Sequence, residues 1–172
     1  MLVNGLPVLF RQQRVGKNGK PFILYKFRTM SINAEKKQYM YNRLNEANGP
    51  VFKIHNDPRF TRVGKFLAHT GLDELPQLIN VLRGEMALIG PRPLPVDEEK
   101  KLKIWQRARE SVKPGIISPW ILEGYHTQTF DAWMKSDLAY IKKKTFAYDL
   151  RLAVQTIVLL LQFFFKEINS FF

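Results

Sequence analysis

The sequence predicts an α+β fold that is mostly helical and begins with a β-hairpin. Residues 8–27 place strand-forming residues on both sides of an Asn-Gly pair, which readily adopts the positive φ of a tight hairpin turn. Leucine and isoleucine recur at helical spacing over residues 73–83, and Gly84 follows as a typical helix end. The same periodicity over residues 130–143 and 145–165 predicts two further helices near the end of the chain.

The segments between the hairpin and these last helices predict shorter elements. Residues 34–46 are polar and favour a helix that ends at an Asn-Gly-Pro stop. A short helix is expected over residues 61–69 and another over residues 96–110, where acids at the start and arginines near the end suit the helix dipole. Residues 86–89 form a short apolar stretch that runs into a Pro-rich loop. Because the chain shows no internal repeat or clear linker, we expect residues 1–172 to form one domain.

The composition limits both the partners and the chemistry. The formal net charge is +12 and the basic residues are spread along the chain, so the protein should attract polyanions or anionic surfaces. Nucleic acid, anionic lipid headgroups and pyrophosphate-bearing small molecules all fit this charge. The sequence has no recognisable nucleic-acid-binding motif, so no nucleic-acid partner is expected. The lack of cysteine excludes a disulfide scaffold, a cysteine nucleophile and a thiolate metal site.

The C-terminal segment, about residues 150–172, is unusually apolar. Its apolar run over residues 152–165 is interrupted by polar residues and falls short of the roughly 18 apolar residues expected of a membrane-spanning helix. Two interpretations stay open, a helix that lies at a membrane interface or against a partner, and a buried core helix. The exposure of the segment in the folded chain distinguishes them.

Asp73 and Glu74 are the candidate catalytic residues. They are adjacent carboxylates at the predicted start of a helix, in a part of the chain that is otherwise basic. A helix N-terminus stabilises anions, so a bound phosphate, a Mg²⁺ ion held by a carboxylate and a nucleophilic carboxylate are all compatible with this position. Taken alone, an acidic pair of this kind is more typical of helix capping.

Several cations could complete a phosphate site around this pair. Arg92 lies between two prolines, in a rigid loop that suits bidentate phosphate binding. Lys26 and Arg28 lie two residues apart and therefore on one face of a strand. Each of these residues, like Arg59 and Arg62, fits a solvated surface or a Pro-rich turn equally well. Only their combination around one acidic pair favours a site for pyrophosphate.

With these residues in view, the chain strongly resembles the bacterial sugar transferases. These are the monotopic phosphoglycosyl transferases that start undecaprenyl-linked exopolysaccharide, capsule and O-antigen synthesis. The resemblance covers nearly the whole chain, and its motifs occur in the family's order. They include Leu-Asp-Glu-Leu-Pro-Gln at the acidic pair and Gly-Pro-Arg-Pro at Arg92. The matching stretches are residues 7–16, 25–30, 56–64, 72–86, 89–93 and 112–115.

The resemblance implies a two-step reaction. Asp73 is the expected nucleophile that attacks the β-phosphate of a UDP-sugar, so that UMP leaves and a phosphosugar stays on the enzyme. Undecaprenyl phosphate, or another polyprenyl phosphate, then accepts the hexose-1-phosphate. Glu74 is expected to help position Mg²⁺, with Asp73 and Glu74 as its protein ligands. Residues 49–54 resemble the branch of the family that transfers glucose- or galactose-phosphate.

The resemblance also implies a set of substrate-binding residues. Arg92 is expected to line the phosphate site, and the other basic residues are expected to bind the pyrophosphate or the lipid phosphate. Asp137 matches a further recurrent acid of the family, whose role the sequence does not define. The expected substrate-binding residues are Lys26, Arg28, Arg59, Arg62, Arg92 and Asp137.

The same resemblance implies a location and leaves one alternative. The cytoplasmic face of the inner membrane and contact with an anionic membrane surface are expected, and a homodimer stays open. Family members carry a re-entrant hydrophobic helix before the segment that begins here at Leu6. The given sequence does not include it, so this chain alone is expected to be peripheral or soluble. Ala68, Gly71 and residues 116–124 differ from the family pattern, which leaves open a non-catalytic or truncated relative that only binds a nucleotide-sugar or a partner.

Overall fold

A computed structural model describes residues 7–123 and 129–171, and it begins with the predicted hairpin. Strand β1 (Leu9–Val15) pairs with β2 (Pro21–Phe27) in an antiparallel sheet. The connection is a single 3₁₀ turn in which Asn18 and Gly19 have φ of 56° and 74°. The Asn-Gly pair therefore supplies the left-handed backbone that closes the hairpin, and this prediction is confirmed.

A second sheet was not predicted from the sequence. Strand β3 (Ala87–Ile89) pairs in parallel with β4 (Gly115–Ile117). Gly90 and Gly115 permit a close approach at this point, because a Cβ on Gly115 would lie 2.0 Å from the backbone nitrogen of Gly90. Residues 86–89 are thus a short strand whose partner lies beyond the Pro-rich loop.

The rest of the regular structure is helical, so the predicted α+β class is confirmed. The α-helices are α1 (Arg62–Thr70), α2 (Leu78–Leu82), α3 (Val96–Glu99), α4 (Phe130–Lys143) and α5 (Phe146–Phe171). Four longer 3₁₀ helices span Gln38–Leu44, Leu72–Gln77, Gln106–Ser111 and Pro119–Glu123. The helices predicted at residues 61–69, 130–143 and 145–165 are confirmed by α1, α4 and α5.

Two predicted helices are wrong in type, and the helix predicted over residues 73–83 is only partly α-helical, since a 3₁₀ helix (Leu72–Gln77) that contains Pro76 precedes the short α2 (Leu78–Leu82). Residues 34–46 form turns and a 3₁₀ helix, because the segment has no apolar stripe to bury and its side chains make no helix cap. Residues 96–110 break into α3 and a later 3₁₀ helix. At the break, the Gln106 side chain accepts a hydrogen bond from the Lys103 backbone N–H at 2.7 Å, so a side chain replaces a helical acceptor.

Three clusters of buried residues form the core. The first lies under the N-terminus of α4, the second joins β2 to the backbone before β3, and the third places α4 and α5 against β3. Their buried members are Leu94, Leu102, Phe130 and Met134; Phe22, Leu24 and Met86; and Ile89, Tyr140 and Leu152.

Helix α5 buries only one side. Leu152 and Thr156 are buried, whereas Phe146 and Phe165 are 85% and 62% exposed. The buried-core interpretation of this segment is therefore wrong for most of its surface. Within the described residues, the part of α5 from Phe146 to Ile168 is also long and apolar enough to cross a membrane by length and composition. The prediction from sequence counted uninterrupted apolar residues only, so it underestimated the length of this apolar helix. Residue 172 lies outside the described residues.

Candidate active site

The acidic pair lies on the 3₁₀ helix Leu72–Gln77, against strand β2. Gly71 precedes this helix with φ of 73°, a left-handed conformation that ends α1 and starts the new turn. The Glu74 backbone N–H donates to the Gly71 carbonyl at 3.2 Å. The helix has no side-chain cap. Asp73 and Glu74 are thus not capping residues, and their carboxylates are left for other contacts.

Asp73 is a buried carboxylate with a perturbed acidity. The residue is 6% exposed, and the Lys26 Nζ lies 3.9 Å from its Oδ2. Burial raises the pKa of Asp73 to about 6, and the nearby Glu74 carboxylate adds to this effect, while Lys26 and Arg92 oppose it. A carboxylate with this pKa is mostly ionised at neutral pH and more basic than an exposed aspartate, which suits a nucleophile.

Glu74 forms the second charged contact of the site. Its Oε1 accepts a hydrogen bond from the Arg92 Nη1 at 2.7 Å. The Arg92 side chain remains 46% exposed, so part of it is accessible to solvent. The loop between Pro91 and Pro93 therefore presents a cation beside the acidic pair, where an anionic substrate group can contact it.

Two further cations approach the pair from the hairpin. Burial lowers the pKa of Lys26, an effect that the Asp73 carboxylate opposes. Arg14 donates from Nη1 to the Pro93 carbonyl at 2.8 Å, and burial together with repulsion from Arg92 lowers its pKa to about 10. Both residues favour an anion nearby, because a negative charge would offset the free-energy cost of burying their positive charges.

These groups line one cavity of about 850 Å³. Besides the charged cluster, the cavity has an aromatic part, where the rings of Trp120 and Trp133 stack with centroids 5.9 Å apart. It also has an apolar side to which α5 contributes. This volume is sufficient for a ligand of nucleotide size. The charged lining consists of Arg14, Lys26, Glu46, Lys53, Asp73, Glu74, Arg92 and Glu98.

The structure separates the expected substrate-binding residues into two groups. Lys26 and Arg92 line the cavity. Within the described part of the chain, the other four are not among its lining residues. Arg28 donates to the Pro7 carbonyl at 2.8 Å, at the open end of the hairpin opposite its turn. The exposed Arg62 begins α1. Their predicted contacts with substrate stay predictions.

Arg59 and Asp137 are buried and hold other protein groups. The Arg59 Nη2 lies 2.6 Å from Oδ2 of Asp57, and its Nη1 donates to the Ala34 carbonyl at 3.2 Å. Burial alone would raise the pKa of Asp57, but its bonds with Arg59 lower it. Asp137 is fully buried and pairs with Arg109. Both acidic partners therefore anchor arginines inside the protein.

Sequence reasoning missed Arg14, Lys53 and Glu98 as parts of the site. Burial lowers the pKa of Lys53 to about 8, although Glu46 opposes this, and burial raises the pKa of Glu98. Arg14 lies on the same hairpin as Lys26 and within a stretch that carries the family resemblance, a signal that could have identified it. Lys53 lies within residues 49–54, which resemble one branch of the family and so offered a similar signal, whereas Glu98 carries no comparable local pattern.

The residues of the site could bind a metal ion only if the substrate supplied some of its ligands. Among the described residues, no group of three or more His, Cys, Asp and Glu side chains is placed to hold a metal. Asp73 and Glu74 supply two carboxylates. Since Mg²⁺ is commonly bound by one or two carboxylates with the remaining oxygens from phosphates and water, a pyrophosphate would have to complete the shell.

Ala68 and Gly71, where the sequence differs from the family pattern, both line the cavity, as do Ile117, Ser118 and Ile121 from the divergent residues 116–124. Residue 124 lies outside the described residues. At Gly71, a Cβ would lie 3.1 Å from Cδ2 of Leu160 in α5. The differences therefore lie where they would contact a bound ligand rather than on a remote surface.

The sequence model of the family described as Bacterial sugar transferase matches residues 1–163 of the chain. The chain is 42% identical to the galactosyl transferase CpsE of Streptococcus agalactiae serotype III over 92% of its length, and spans 35% of that protein. It is 38% identical to the undecaprenyl-phosphate galactose phosphotransferase of Salmonella typhimurium, with 89% of this chain and 33% of that protein covered. It is 37% identical to the UDP-glucose:undecaprenyl-phosphate glucose-1-phosphate transferase of Escherichia coli, with 88% and 32% covered. The chain thus spans about a third of the length of these relatives.

Proposed function

The chain belongs to the bacterial sugar transferase family, and we propose that it transfers a hexose-1-phosphate from a UDP-sugar to undecaprenyl phosphate or another polyprenyl phosphate. Two relatives are named for an undecaprenyl-phosphate acceptor, and one of them also for a UDP-glucose donor. In the cell this reaction would start exopolysaccharide, capsule or O-antigen synthesis. The main support from the structure is the buried Asp73 carboxylate, which faces the cationic cavity with a pKa of about 6.

In the first half-reaction, a carboxylate oxygen of Asp73 attacks the β-phosphorus of the UDP-sugar. A phosphorus–oxygen bond forms to Asp73, and the bond to the bridging oxygen breaks, so that UMP leaves with that electron pair. The product on the enzyme is an acyl phosphate that carries the sugar. Arg92, Lys26 and Arg14 provide positive charge for the phosphoryl oxygens and for the leaving UMP.

In the second half-reaction, a phosphate oxygen of the polyprenyl phosphate attacks the same phosphorus. The bond to Asp73 breaks, the carboxylate is regenerated, and the product is a polyprenyl diphosphate sugar. The acceptor phosphate attacks from the place that UMP has left, so Asp73 is the nucleophile of the first step and the leaving group of the second. The 850 Å³ cavity beside Asp73 can hold the donor first and the acceptor phosphate afterwards.

We propose Mg²⁺ as the cofactor, held by Asp73, Glu74 and the substrate phosphates. A bound Mg²⁺ would offset the negative charge of the pyrophosphate and of the leaving UMP. Glu74 would then contact both the metal and the Arg92 guanidinium, and it would orient both relative to Asp73. Through Glu74, binding of the metal would affect the contact of Arg92 with the substrate.

The proposed location is the cytoplasmic face of the plasma membrane, where UDP-sugars and polyprenyl phosphates meet. The exposed apolar face of α5 and the net charge of +12 support contact with an anionic membrane surface. A membrane-bound acceptor requires the catalytic cavity to lie near the lipid, and α5 forms part of the cavity lining.

A second candidate is a relative that binds a nucleotide-sugar without catalysis. Ala68 favours it, because this cavity-lining position lacks the cation that the family pattern usually has there. Retention of both carboxylates and of the Glu74–Arg92 contact favours the transferase. The two candidates differ in whether a covalent phosphosugar forms.

The deciding experiment is the intact mass of the protein after incubation with Mg²⁺ and a panel of UDP-sugars, without the lipid acceptor. A mass increase equal to a hexose-phosphate is expected for the wild type and not for Asp73→Asn. Asp97→Asn is the matched control, because the Asp97 side chain is 92% exposed and Asp97 is not among the described residues that line the cavity. Folded wild-type protein that binds a UDP-sugar but gains no mass would support the binding-only relative.

A further inference from the structure

The cavity that contains the acidic pair has an apolar wall. This wall combines side chains from α5 with leucines that follow Asp73 in the chain or lie on β3. The lining residues that form it are Leu75, Leu78, Leu88, Ile157, Leu160 and Phe163, which we call the apolar wall. None of them carries a polar atom in its side chain, so the wall offers a nucleotide no hydrogen bond.

The apolar wall begins beside the nucleophile. A Cβ placed on Gly71 would lie 3.1 Å from Cδ2 of Leu160, and Gly71 is two residues before Asp73. Helix α5 therefore lies beside the turn that precedes the catalytic carboxylate. The cavity-lining residues of α5 are Thr156, Ile157, Leu160 and Phe163, none of which is charged.

The apolar wall also continues to the protein surface. Leu75, Leu88 and Ile157 line the cavity and are nevertheless 52%, 54% and 54% exposed. Residues 152–165 of α5 contain no charged residue. An apolar surface that is open to water yet continuous with a cavity indicates an apolar ligand or partner.

We infer that the apolar wall binds the first isoprene units of the polyprenyl phosphate acceptor while its phosphate lies at Asp73. This inference rests on the proposed function and adds to it the place where the acceptor chain leaves the site. Of the two substrates, only the acceptor has a large apolar part. The UDP-sugar is polar throughout and carries its negative charge on the diphosphate, which matches Arg14, Lys26 and Arg92 on the cationic side of the cavity.

Leu160 and Leu161 provide a matched pair for the test. Leu160 lies in the apolar wall, whereas its neighbour Leu161 is 51% exposed and is not among the residues that line the cavity in the described part of the chain. The two serine variants change the overall apolarity of α5 equally. A general loss of membrane or micelle affinity would therefore affect both variants to the same extent.

The experiment measures the two half-reactions separately for wild type, Leu160→Ser, Leu161→Ser and Ile157→Ser. Adduct formation with a UDP-sugar reports folding and the donor site. The second reaction is followed with two acceptors, one with two isoprene units and one with eleven, in the same detergent. For Leu160→Ser and Ile157→Ser, the KM for the acceptor should rise on the order of tenfold for each chain length, because each loses the burial of one apolar side chain against the first units. For Leu161→Ser it should stay within about twofold.

Three results would overturn the inference. The first is an unchanged acceptor KM in both cavity variants that still form the adduct. The second is an equal rise for Leu161→Ser, which would assign the effect to contact of α5 with the micelle. The third is a rise for the long acceptor only, which would place the binding surface beyond the cavity. A wild-type protein that forms no adduct would instead refute the proposed function itself, and with it this inference.

Discussion

The carboxylate of Asp137 and the guanidinium of Arg109 form a buried ion pair, with 2.6 Å between the Oδ2 and Nη2 atoms. The same Nη2 donates to the backbone carbonyl of Arg92 at 2.7 Å, and the Arg109 guanidinium lies 5.7 Å from the ring centroid of Trp133. Asp137 is thus linked to the active site through two residues. It forms an ion pair with Arg109, and Arg109 hydrogen-bonds the backbone of the loop that places Arg92 beside Glu74.

Asp137→Asn should therefore impair both stability and donor binding. Removing one charge of a buried ion pair is expected to lower the free energy of unfolding by about 3 kcal/mol, which urea denaturation measures. With the loop of Arg92 less constrained, the KM for the UDP-sugar should rise severalfold at a temperature where the variant is folded. A variant with lowered stability and an unchanged KM would show that the ion pair serves the fold alone.

Arg92→Ala should raise the KM for the donor by at least tenfold, because it removes the exposed cation beside Glu74. Arg92→Lys should recover only part of the affinity, since an ammonium group cannot form the bidentate contact of a guanidinium. Initial rates of adduct formation over a range of UDP-sugar concentrations measure both variants. Full recovery by lysine would show that Arg92 acts through charge and not through geometry.

The rate of adduct formation should rise with pH through about 6 and level off above it, because the ionised Asp73 is the proposed nucleophile. Initial rates between pH 5 and pH 8 measure this profile. Glu74→Gln should move the midpoint to lower pH, since the Glu74 carboxylate raises the pKa of Asp73. Lys26→Met should move it to higher pH, since Lys26 lowers that pKa. Shifts in the opposite directions would contradict the assignment of the profile to Asp73.

Asp73→Asn should stabilise the protein at alkaline pH even though it abolishes adduct formation. The pKa of Asp73 is raised from 3.8 to about 6 on folding, so its contribution to stability is full below pH 4 and is lost as the pH rises through 6. An ionised carboxylate with this pKa costs up to about 3 kcal/mol, a figure that already includes its attraction to Lys26 and Arg92. Urea unfolding in metal-free buffer should show the variant more stable at pH 8 and equal to wild type near pH 4. Asp97→Asn should show no such difference.

Gly64→Ala should destabilise the fold strongly. A Cβ on Gly64 would lie 1.8 Å from the Thr29 carbonyl oxygen, so α1 would have to move away from the backbone that follows β2. We expect a loss of about 3 kcal/mol or more in the free energy of unfolding, as for severe overpacking. Lys65→Ala, at the next and exposed position of the same helix, is the control and should change stability by less than about 0.5 kcal/mol.

The parts of the fold with local signals were predictable. Asn18 and Gly19 specify the hairpin turn by their backbone preferences, and Gly84 marks a helix end. The parallel pairing of β3 with β4 was not predictable, because three-residue strands carry no periodicity and their contact joins residues far apart in sequence. One domain over residues 1–172 stays a prediction.

The candidate site divides in a similar way. Asp73, Glu74, Lys26 and Arg92 were identified before the structure, and the structure brings them together. Asp137 was identified as a substrate-binding residue, whereas its contacts are with Arg109 inside the protein. An ion pair between residues 28 positions apart leaves no pattern in the sequence, so neither Arg109 nor its link to Arg92 could be inferred.

Helix α5, as one wall of the cavity, also bears on the lifetime of the enzyme-bound phosphosugar. An acyl phosphate is a reactive mixed anhydride, and its sugar-phosphate is lost whenever a water molecule attacks before the acceptor arrives. Leu160 and its neighbours limit the approach of water from the side of Gly71. We expect that polar substitutions in this wall would release free sugar-1-phosphate into solution, so that a transferase would become a slow UDP-sugar hydrolase.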